Sequence, residues 1–160
     1  MPGARTDLHH KHPLNADLAA LQRFFENGRQ PTAVDTNPMA QALGMRLIDI
    51  DAQAGRIRLE FEPAPYFVQG TNVLQGGAVA GMLDFAMAFA TLATVGAQQS
   101  CASVNLNTSF LKAAGPGRYV AVGELDRRAR TMAFASATLA TADEPDAPVA
   151  TATSVLVITG

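Results

Sequence analysis

Residues 69–84, with the sequence QGTNVLQGGAVAGMLD, combine the residue types of a hydrolytic site. Gly76 and Gly77 stand where a polar loop passes into an apolar helical pattern. Glycine lets a ligand approach the backbone closely, and the first N–H groups of a helix have no intrahelical acceptor, so they attract negative charge. Asp84 follows about two helical turns later, as a single acid in an apolar stretch. These features predict an oxyanion-binding site near a general base or a nucleophile.

The same residues also allow a structural interpretation. Glycine pairs precede many helices that bind nothing, and a lone acid such as Asp84 can pair with a polar partner in the core, where unpaired carboxylates are rare. The three histidines (His9, His10 and His12) fall in the first dozen residues and resemble a flexible tail more than a metal site. We therefore expect acid–base chemistry to come from carboxylates, amides or hydroxyls.

Composition narrows the class of protein. The chain has 160 residues, of which 48% are hydrophobic and 16% charged, which predicts one domain with a substantial core. A net charge of −2 argues against nucleic-acid binding. With one cysteine, Cys101, the sequence predicts no disulfide and no zinc cluster, and we expect neither a metal nor a cofactor.

Two further patterns bear on location. The N-terminus lacks the apolar segment of a secretory signal, which predicts a cytoplasmic protein. Residues 78–95 are apolar except for Asp84 and lack basic flanks, so we expect a helix buried within the protein and no contact with a membrane.

Periodicity predicts the order helix, two strands, long helix, four strands. The first helix covers residues 14–27, with Asn15 or Asp17 as its cap and Gly28 as its stop, and a connector follows at 31–38. The long helix runs from Gly76 to about residue 95, with Gly96 as its C-terminal cap. The predicted strands are 44–51, 56–62, 102–112, 118–127, 131–142 and 149–158. A helix apolar on nearly every side must be wrapped, and an antiparallel sheet curling around it does so economically.

Two segments carry a family resemblance: VLQGGAVAGMLDFAMAFAT at 73–91 and SVNLNTSFLKAAGPG at 103–117. They resemble the hot-dog thioesterase superfamily, in particular its phenylacetyl-CoA thioesterase (PaaI-like) branch, over about residues 38–158. The resemblance implies an α+β hot-dog fold, an antiparallel sheet wrapped around a long central helix, here with an extra N-terminal helix. We expect a disordered tail at 1–13 and a single hot-dog domain at 14–160.

The family pattern is Asn or Gln, five residues, His-Gly-Gly, and an acid nine residues after the histidine. Gln69 matches the first position and Asp84 the last. The histidine is replaced by Gln75, ahead of Gly76 and Gly77; glutamine can donate a hydrogen bond but cannot transfer protons.

The resemblance implies an acyl-CoA thioesterase acting on an aromatic or short- to medium-chain acyl group without a cofactor. The N–H of Gly77, alone or with that of Gly76, would receive the oxyanion, and Asp84 would act as general base or nucleophile. Seven helical residues span about 10 Å, so one chain would not bring both groups to one carbonyl. The family's solution is a dimer in which the acid comes from the neighbouring subunit, and we expect a homodimer or homotetramer.

Other candidates have structural alternatives. Gln69 could hold the water or the substrate amide, or only form hydrogen bonds to the backbone of its own loop. Ser103 lies where the family often carries a hydroxyl near the acid, or is a structural strand residue. Asn72 could contact the substrate, or serve only in a turn. For the phosphates of coenzyme A the basic candidates are Lys112, Arg127, Arg128 and Arg130. For the acyl pocket the candidates, some of which must be plain core, are Phe67, Met82, Phe85, Met87 and Phe89.

Two other functions compete with hydrolysis. A non-catalytic acyl-CoA- or acyl-ligand-binding protein on the same fold would explain the loss of the histidine at Gln75. A hot-dog dehydratase or hydratase is disfavoured, because such enzymes usually pair a histidine with the acid. The fold alone does not decide between these functions.

Overall fold

The computed structural model describes residues 15–160, so the predicted tail at 1–13 and its three histidines lie outside the described residues. The first helix, α1, spans Ala16–Glu26. Asn15 caps it, because its side chain accepts a hydrogen bond of 2.9 Å from the Asp17 N–H. Gly28 follows with a φ of 75°, the left-handed conformation that ends a helix. The predicted cap at Asn15 and the predicted stop at Gly28 are thus confirmed, and the helix ends one residue before its predicted end at 27.

The other elements form one layered domain around a long helix. They are β1 (Thr32–Ala33), α2 (Pro38–Ala42), β2 (Arg46–Asp51), β3 (Arg56–Phe61), a 3₁₀ turn (Pro65–Phe67), α3 (Gly76–Leu92), β4 (Ser100–Ser103), β5 (Asn107–Phe110), β6 (Tyr119–Arg128), β7 (Met132–Thr141) and β8 (Pro148–Thr159). The strands pair antiparallel in the order β1-β2-β3-β6-β7-β8, and β4 and β5 share the edge beyond β8. This confirms the predicted sheet wrapped around a central helix.

The predicted strand 102–112 is divided into two. Both halves pair with β8, but the chain between them leaves the ladder at Asn105. The Asn105 side-chain oxygen accepts a hydrogen bond of 2.9 Å from the Val155 N–H. The backbone carbonyl of Asn105 accepts one of 2.8 Å from the Ser154 hydroxyl. Such side-chain bonds compete with the regular ladder and interrupt the edge strand.

Two local predictions are wrong. The connector at 31–38 contains β1 and leads into α2, a short helix whose first turn is capped by Asn37, since that side chain accepts from the Ala40 N–H at 2.9 Å. Gly96 does not cap α3, which ends at Leu92. Instead, the carbonyl oxygen of Thr94 accepts a hydrogen bond from the Arg128 guanidinium, a cation at the negative end of the helix.

Gly123 sets how closely the sheet approaches α3. A Cβ atom built at this position would lie 2.1 Å from the carbonyl oxygen of Ala86, in the middle of the helix. The backbone would have to move, so we expect Gly123→Ala to lower the free energy of unfolding by about 3 kcal/mol, at the upper end for overpacking. Urea unfolding measures this, with Gly70→Ala as the control, because a Cβ at Gly70 has no neighbour within 4 Å in the described part of the chain. Equal stability of the two variants would contradict this packing.

The sheet does not wrap α3 completely. Most of the helix is buried, but one stripe of it is half-exposed or exposed. That stripe comprises Gly77, Ala80, Gly81, Asp84, Phe85 and Ala88. The wrapping thus leaves one side of the helix open, and Asp84, expected to be buried, is half-buried in the single chain. None of the helices within residues 15–160 is long and apolar enough to cross a membrane.

Candidate active site

The start of α3 presents free backbone donors. Gln75 is the N-cap, and its carbonyl oxygen accepts hydrogen bonds from the N–H groups of Ala78 (2.9 Å) and Val79 (3.2 Å). The N–H groups of Gly76 and Gly77 have no acceptor within residues 15–160. These two donors point out of the positive end of a 17-residue helix, where an anionic oxygen is stabilised.

The surroundings distinguish the two glycines. The Phe110 ring lies against Gly76, because a Cβ atom there would be 3.2 Å from its Cζ. Around Gly77 the space is open, because no atom of residues 15–160 lies within 4 Å of a Cβ atom built there. A substrate carbonyl can therefore reach the backbone of Gly77, and Phe110 occupies the space beside Gly76.

The acid carries its own hydroxyl partner. The Ser103 hydroxyl in β4 donates a hydrogen bond of 2.6 Å to one carboxylate oxygen of Asp84. This bond holds the carboxylate orientation, and the second oxygen remains available to accept a proton. The structure thus brings together two predicted site residues that are 19 positions apart in the chain.

Gly77 and Asp84 share one stripe but do not meet within one chain. Seven residues of helix separate them by about 10 Å. A carbonyl carbon must lie about 3 Å from both its oxyanion donor and its attacking group, so one chain does not present a complete site.

Gln69 and Asn72 form the turn before α3. The Gln69 N–H donates to the Val73 carbonyl at 2.8 Å, and the Gln69 carbonyl accepts from the Asn72 N–H at 3.0 Å. Asn72 has a φ of 62°, a left-handed conformation that asparagine tolerates better than most residues. These bonds give Asn72 a turn role, whereas the exposed side chain of Gln69 lines a cavity.

That cavity, of about 400 Å³, lies between the loop and the segment 110–114. Its wall is mostly apolar, with Val73, Leu74 and Val79 on one side, and Lys112 stands in its lining as an exposed cation. A larger cavity of about 520 Å³ lies on the outer face of the sheet and contains none of the predicted site residues. The cavity beside Gly76 is therefore the one that a substrate at Gly77 can use.

The basic candidates are divided between the two ends of α3. Lys112 lies at the N-terminal end, whereas Arg128 contacts Thr94 just beyond the C-terminal end. Arg127 and Arg130 are exposed, and within residues 15–160 no carboxylate forms an ion pair with either. One chain alone does not gather these cations around one ligand.

The acyl-pocket candidates are also divided. Met82, Met87 and Phe89 are at most 1% exposed and belong to the core. Phe67 and Phe85 are half-buried. Only these last two can line a space that a ligand enters.

Cys101 lies two residues before Ser103 in β4 and is an unreactive neighbour of the site. Burial, with the charges of Asp84 and Asp17 adding to it, raises the pKa of its thiol to about 12. The thiol donates to the Ala88 carbonyl at 3.6 Å. It stays protonated at neutral pH and is not a nucleophile. Among residues 15–160, no three His, Cys, Asp or Glu side chains group as metal ligands.

Comparison with known proteins identifies relatives. A sequence profile of the Thioesterase superfamily matches residues 71–147, which include Gly77, Asp84 and Ser103. No curated protein matches the chain.

Three solved structures illustrate the likeness. A phenylacetic acid degradation-related protein from Ralstonia eutropha JMP134 is 29% identical, with a TM-score of 0.73 over 84% of this chain and 97% of that one. A thioesterase family protein from Silicibacter pomeroyi is 22% identical (TM-score 0.72, 89% and 97% covered). The PaaI protein from the phenylacetic acid degradation operon of Escherichia coli is 15% identical (TM-score 0.70, 89% and 93% covered). The last two share the fold.

Proposed function

Because the chain belongs to the hot-dog thioesterase superfamily, in its PaaI-like branch, and is a thioester hydrolase, we propose that it hydrolyses an acyl-CoA at a site shared by two copies. The acyl group is aromatic or of short to medium length. The observation that supports this most is that one exposed stripe of α3 carries both a free N–H at Gly77 and the carboxylate of Asp84, hydrogen-bonded to Ser103.

In the proposed reaction, the thioester carbonyl oxygen accepts a hydrogen bond from the Gly77 N–H. As the carbon becomes tetrahedral, negative charge develops on that oxygen. Donors fixed at a helix start need no reorganisation to stabilise it. The C–S bond then breaks, and the coenzyme A thiol leaves with a proton.

Asp84 activates the attacking group. Ser103 donates to one carboxylate oxygen, and the other takes the proton of a water molecule that attacks the carbonyl carbon. Direct attack by Asp84 through an anhydride is the alternative course. Gln75 is exposed and makes no capping bond; its side-chain amide can orient the thioester but cannot transfer a proton.

A two-fold dimer supplies the missing proximity. If Gly77 of each copy faces Asp84 of the other, the two helices must run antiparallel about an axis near residue 80. The edge formed by β4 and β5 is centred on the same axis. Phe110 in β5 lies against Gly76, and Ser103 in β4 contacts Asp84. The midpoint of this edge, near residue 106, is therefore level with the midpoint of the helix between Gly77 and Asp84. The edge of β4 and β5, which pairs with no other strand among residues 15–160, can thus pair with the same edge of a second copy.

The cavity beside Gly76 suits the acyl group. Apart from the unused N–H of Gly76, three of its backbone donors are already bonded: the Leu74 N–H donates to the Ala114 carbonyl, and those of Leu111 and Lys112 both donate to the Val149 carbonyl. A hydrocarbon needs no donors, whereas the amides of the pantetheine arm do. We therefore place the acyl group in this cavity, and the coenzyme on the side of the second copy.

A non-catalytic acyl-CoA-binding protein is the second candidate, favoured by the glutamine at position 75. Release of free thiol from a panel of aromatic and straight-chain acyl-CoAs distinguishes the two. We expect turnover of at least one member by the dimeric protein. Binding of acyl-CoA without thiol release would replace the hydrolase proposal with the binding function. The cytoplasmic location stays a prediction.

A further inference from the structure

We propose that the phosphates of coenzyme A are held by Arg127 and Arg130 of the second copy, the one that also supplies Asp84. This inference rests on the proposed function and its antiparallel dimer. It assigns to these arginines a role that a single chain does not allow, because they lie at the end of α3 remote from Gly77.

The first step is the position of the arginines. Arg128 donates a hydrogen bond to the carbonyl oxygen of Thr94, which fixes the hairpin between β6 and β7 at the C-terminal end of α3. Arg127 lies one residue before Arg128 and Arg130 two residues after it; both are exposed and form no ion pair with a described carboxylate. Arg128 is occupied as a helix cap, whereas Arg127 and Arg130 can bind an anion.

The second step is where the dimer places them. Thr94 lies ten residues beyond Asp84, or about 15 Å along the helix axis. When Asp84 of the second copy faces Gly77, the antiparallel direction carries the second copy's Thr94 about 15 Å past Gly77, beyond the start of α3. The arginines of the second copy then stand in front of the helix start that receives the thioester.

The third step is the length of the ligand. The pantetheine arm, from sulfur to the first phosphate, is as long as an extended peptide of four to five residues, about 15 Å. A thioester at Gly77 therefore places the pyrophosphate level with these arginines. Guanidinium groups bind phosphate oxygens by charge-assisted, often bidentate hydrogen bonds.

The test compares two substrates. For Arg127→Glu/Arg130→Glu, we expect KM for acyl-CoA to rise about tenfold or more, since charged hydrogen bonds are lost, with kcat little changed. The same acyl group on N-acetylcysteamine, which lacks phosphates, should be hydrolysed as by the wild type. Arg118→Glu is the matched control, because Arg118 is an exposed arginine just before the opposite end of β6. An unchanged KM for acyl-CoA, or a KM defect found instead in Lys112→Glu, would overturn the proposal.

Mixed dimers test which copy supplies the arginines. In a dimer of one Asp84→Asn chain and one Arg127→Glu/Arg130→Glu chain, the site with an intact Asp84 receives the altered arginines from the same chain. We expect this dimer to keep the high KM. A wild-type KM would show that the arginines act beside their own Gly77, and would refute the assignment.

The proposed function can fail separately. If the wild type releases no thiol from any acyl-CoA, hydrolysis is refuted, and calorimetric titration with coenzyme A still tests the arginines. Binding weakened in Arg127→Glu/Arg130→Glu but not in Arg118→Glu would support the phosphate site, and equal binding in all three proteins would exclude it.

Discussion

Asp84→Asn is expected to lower kcat for acyl-CoA hydrolysis about 10²–10⁴-fold, because the amide cannot accept the proton of the attacking water. The hydrogen bond from Ser103 can still be accepted by the amide oxygen of the new side chain. The fold and the dimer should therefore be unaffected, which circular dichroism and light scattering measure beside thiol release.

The chain contains a matched control for this substitution. Asp126 also accepts a hydrogen bond from a serine hydroxyl, that of Ser136 at 2.9 Å, and it is exposed at the bulge in β6. Asp126→Asn removes the same charge from a similar pair away from α3, and should turn over like the wild type. If Asp84→Asn also kept wild-type turnover, Asp84 would have no catalytic role.

Gly77→Pro is expected to lower kcat by about 10²–10³-fold, the cost of one lost oxyanion donor. Proline removes the N–H and adds its ring; because the N–H has no acceptor within residues 15–160, no described hydrogen bond is broken. The first turn of a helix accepts proline, and Gly76 before it lacks the Cβ atom that would crowd the ring. Steady-state kinetics with one acyl-CoA provides the measurement.

Gly77→Ala serves as the control, because alanine keeps the N–H and its Cβ has no described atom of the chain within 4 Å. We expect this variant to retain most of its activity and the KM of the wild type. Equal loss in the alanine and proline variants would assign the effect to steric hindrance, and would remove the Gly77 N–H from the mechanism.

Much of the fold follows from local patterns. Ile57, Leu59 and Phe61 alternate with charged residues, and the structure buries these three on one side of β3. The cap at Asn15 and the stop at Gly28 could also be predicted from the sequence, because helix capping and a left-handed φ depend mainly on the residue types at those positions.

The misplaced features depend on contacts that are distant in the chain. Asn105 leaves the edge strand because its side chain meets Val155, 50 residues away. Gly96 has no capping role because α3 ends at Leu92, and Arg128 reaches Thr94 from the sheet. Neither contact leaves a periodic signal in the sequence.

The site was predictable only in part, for the same reason. The motif spacing predicted Gly77 and Asp84, and the family resemblance placed a hydroxyl, that of Ser103, near the acid; Ser103 and Asp84 meet at 2.6 Å. It did not indicate that Asp84 would be half-exposed, since the open stripe of α3 depends on where the sheet ends. Likewise, the division of the basic residues between the two ends of α3 appears only when β6 is placed.

The most direct measurement of the shared site mixes Asp84→Asn and Gly77→Pro chains, after subunit exchange, and follows thiol release from one acyl-CoA. Neither variant alone has a complete site. In a mixed dimer, one site combines Gly77 of the first chain with Asp84 of the second and is complete, so equal mixing should restore about a quarter of wild-type activity. If exchanged mixtures show no activity above that of the separate variants, a site shared between two copies is contradicted.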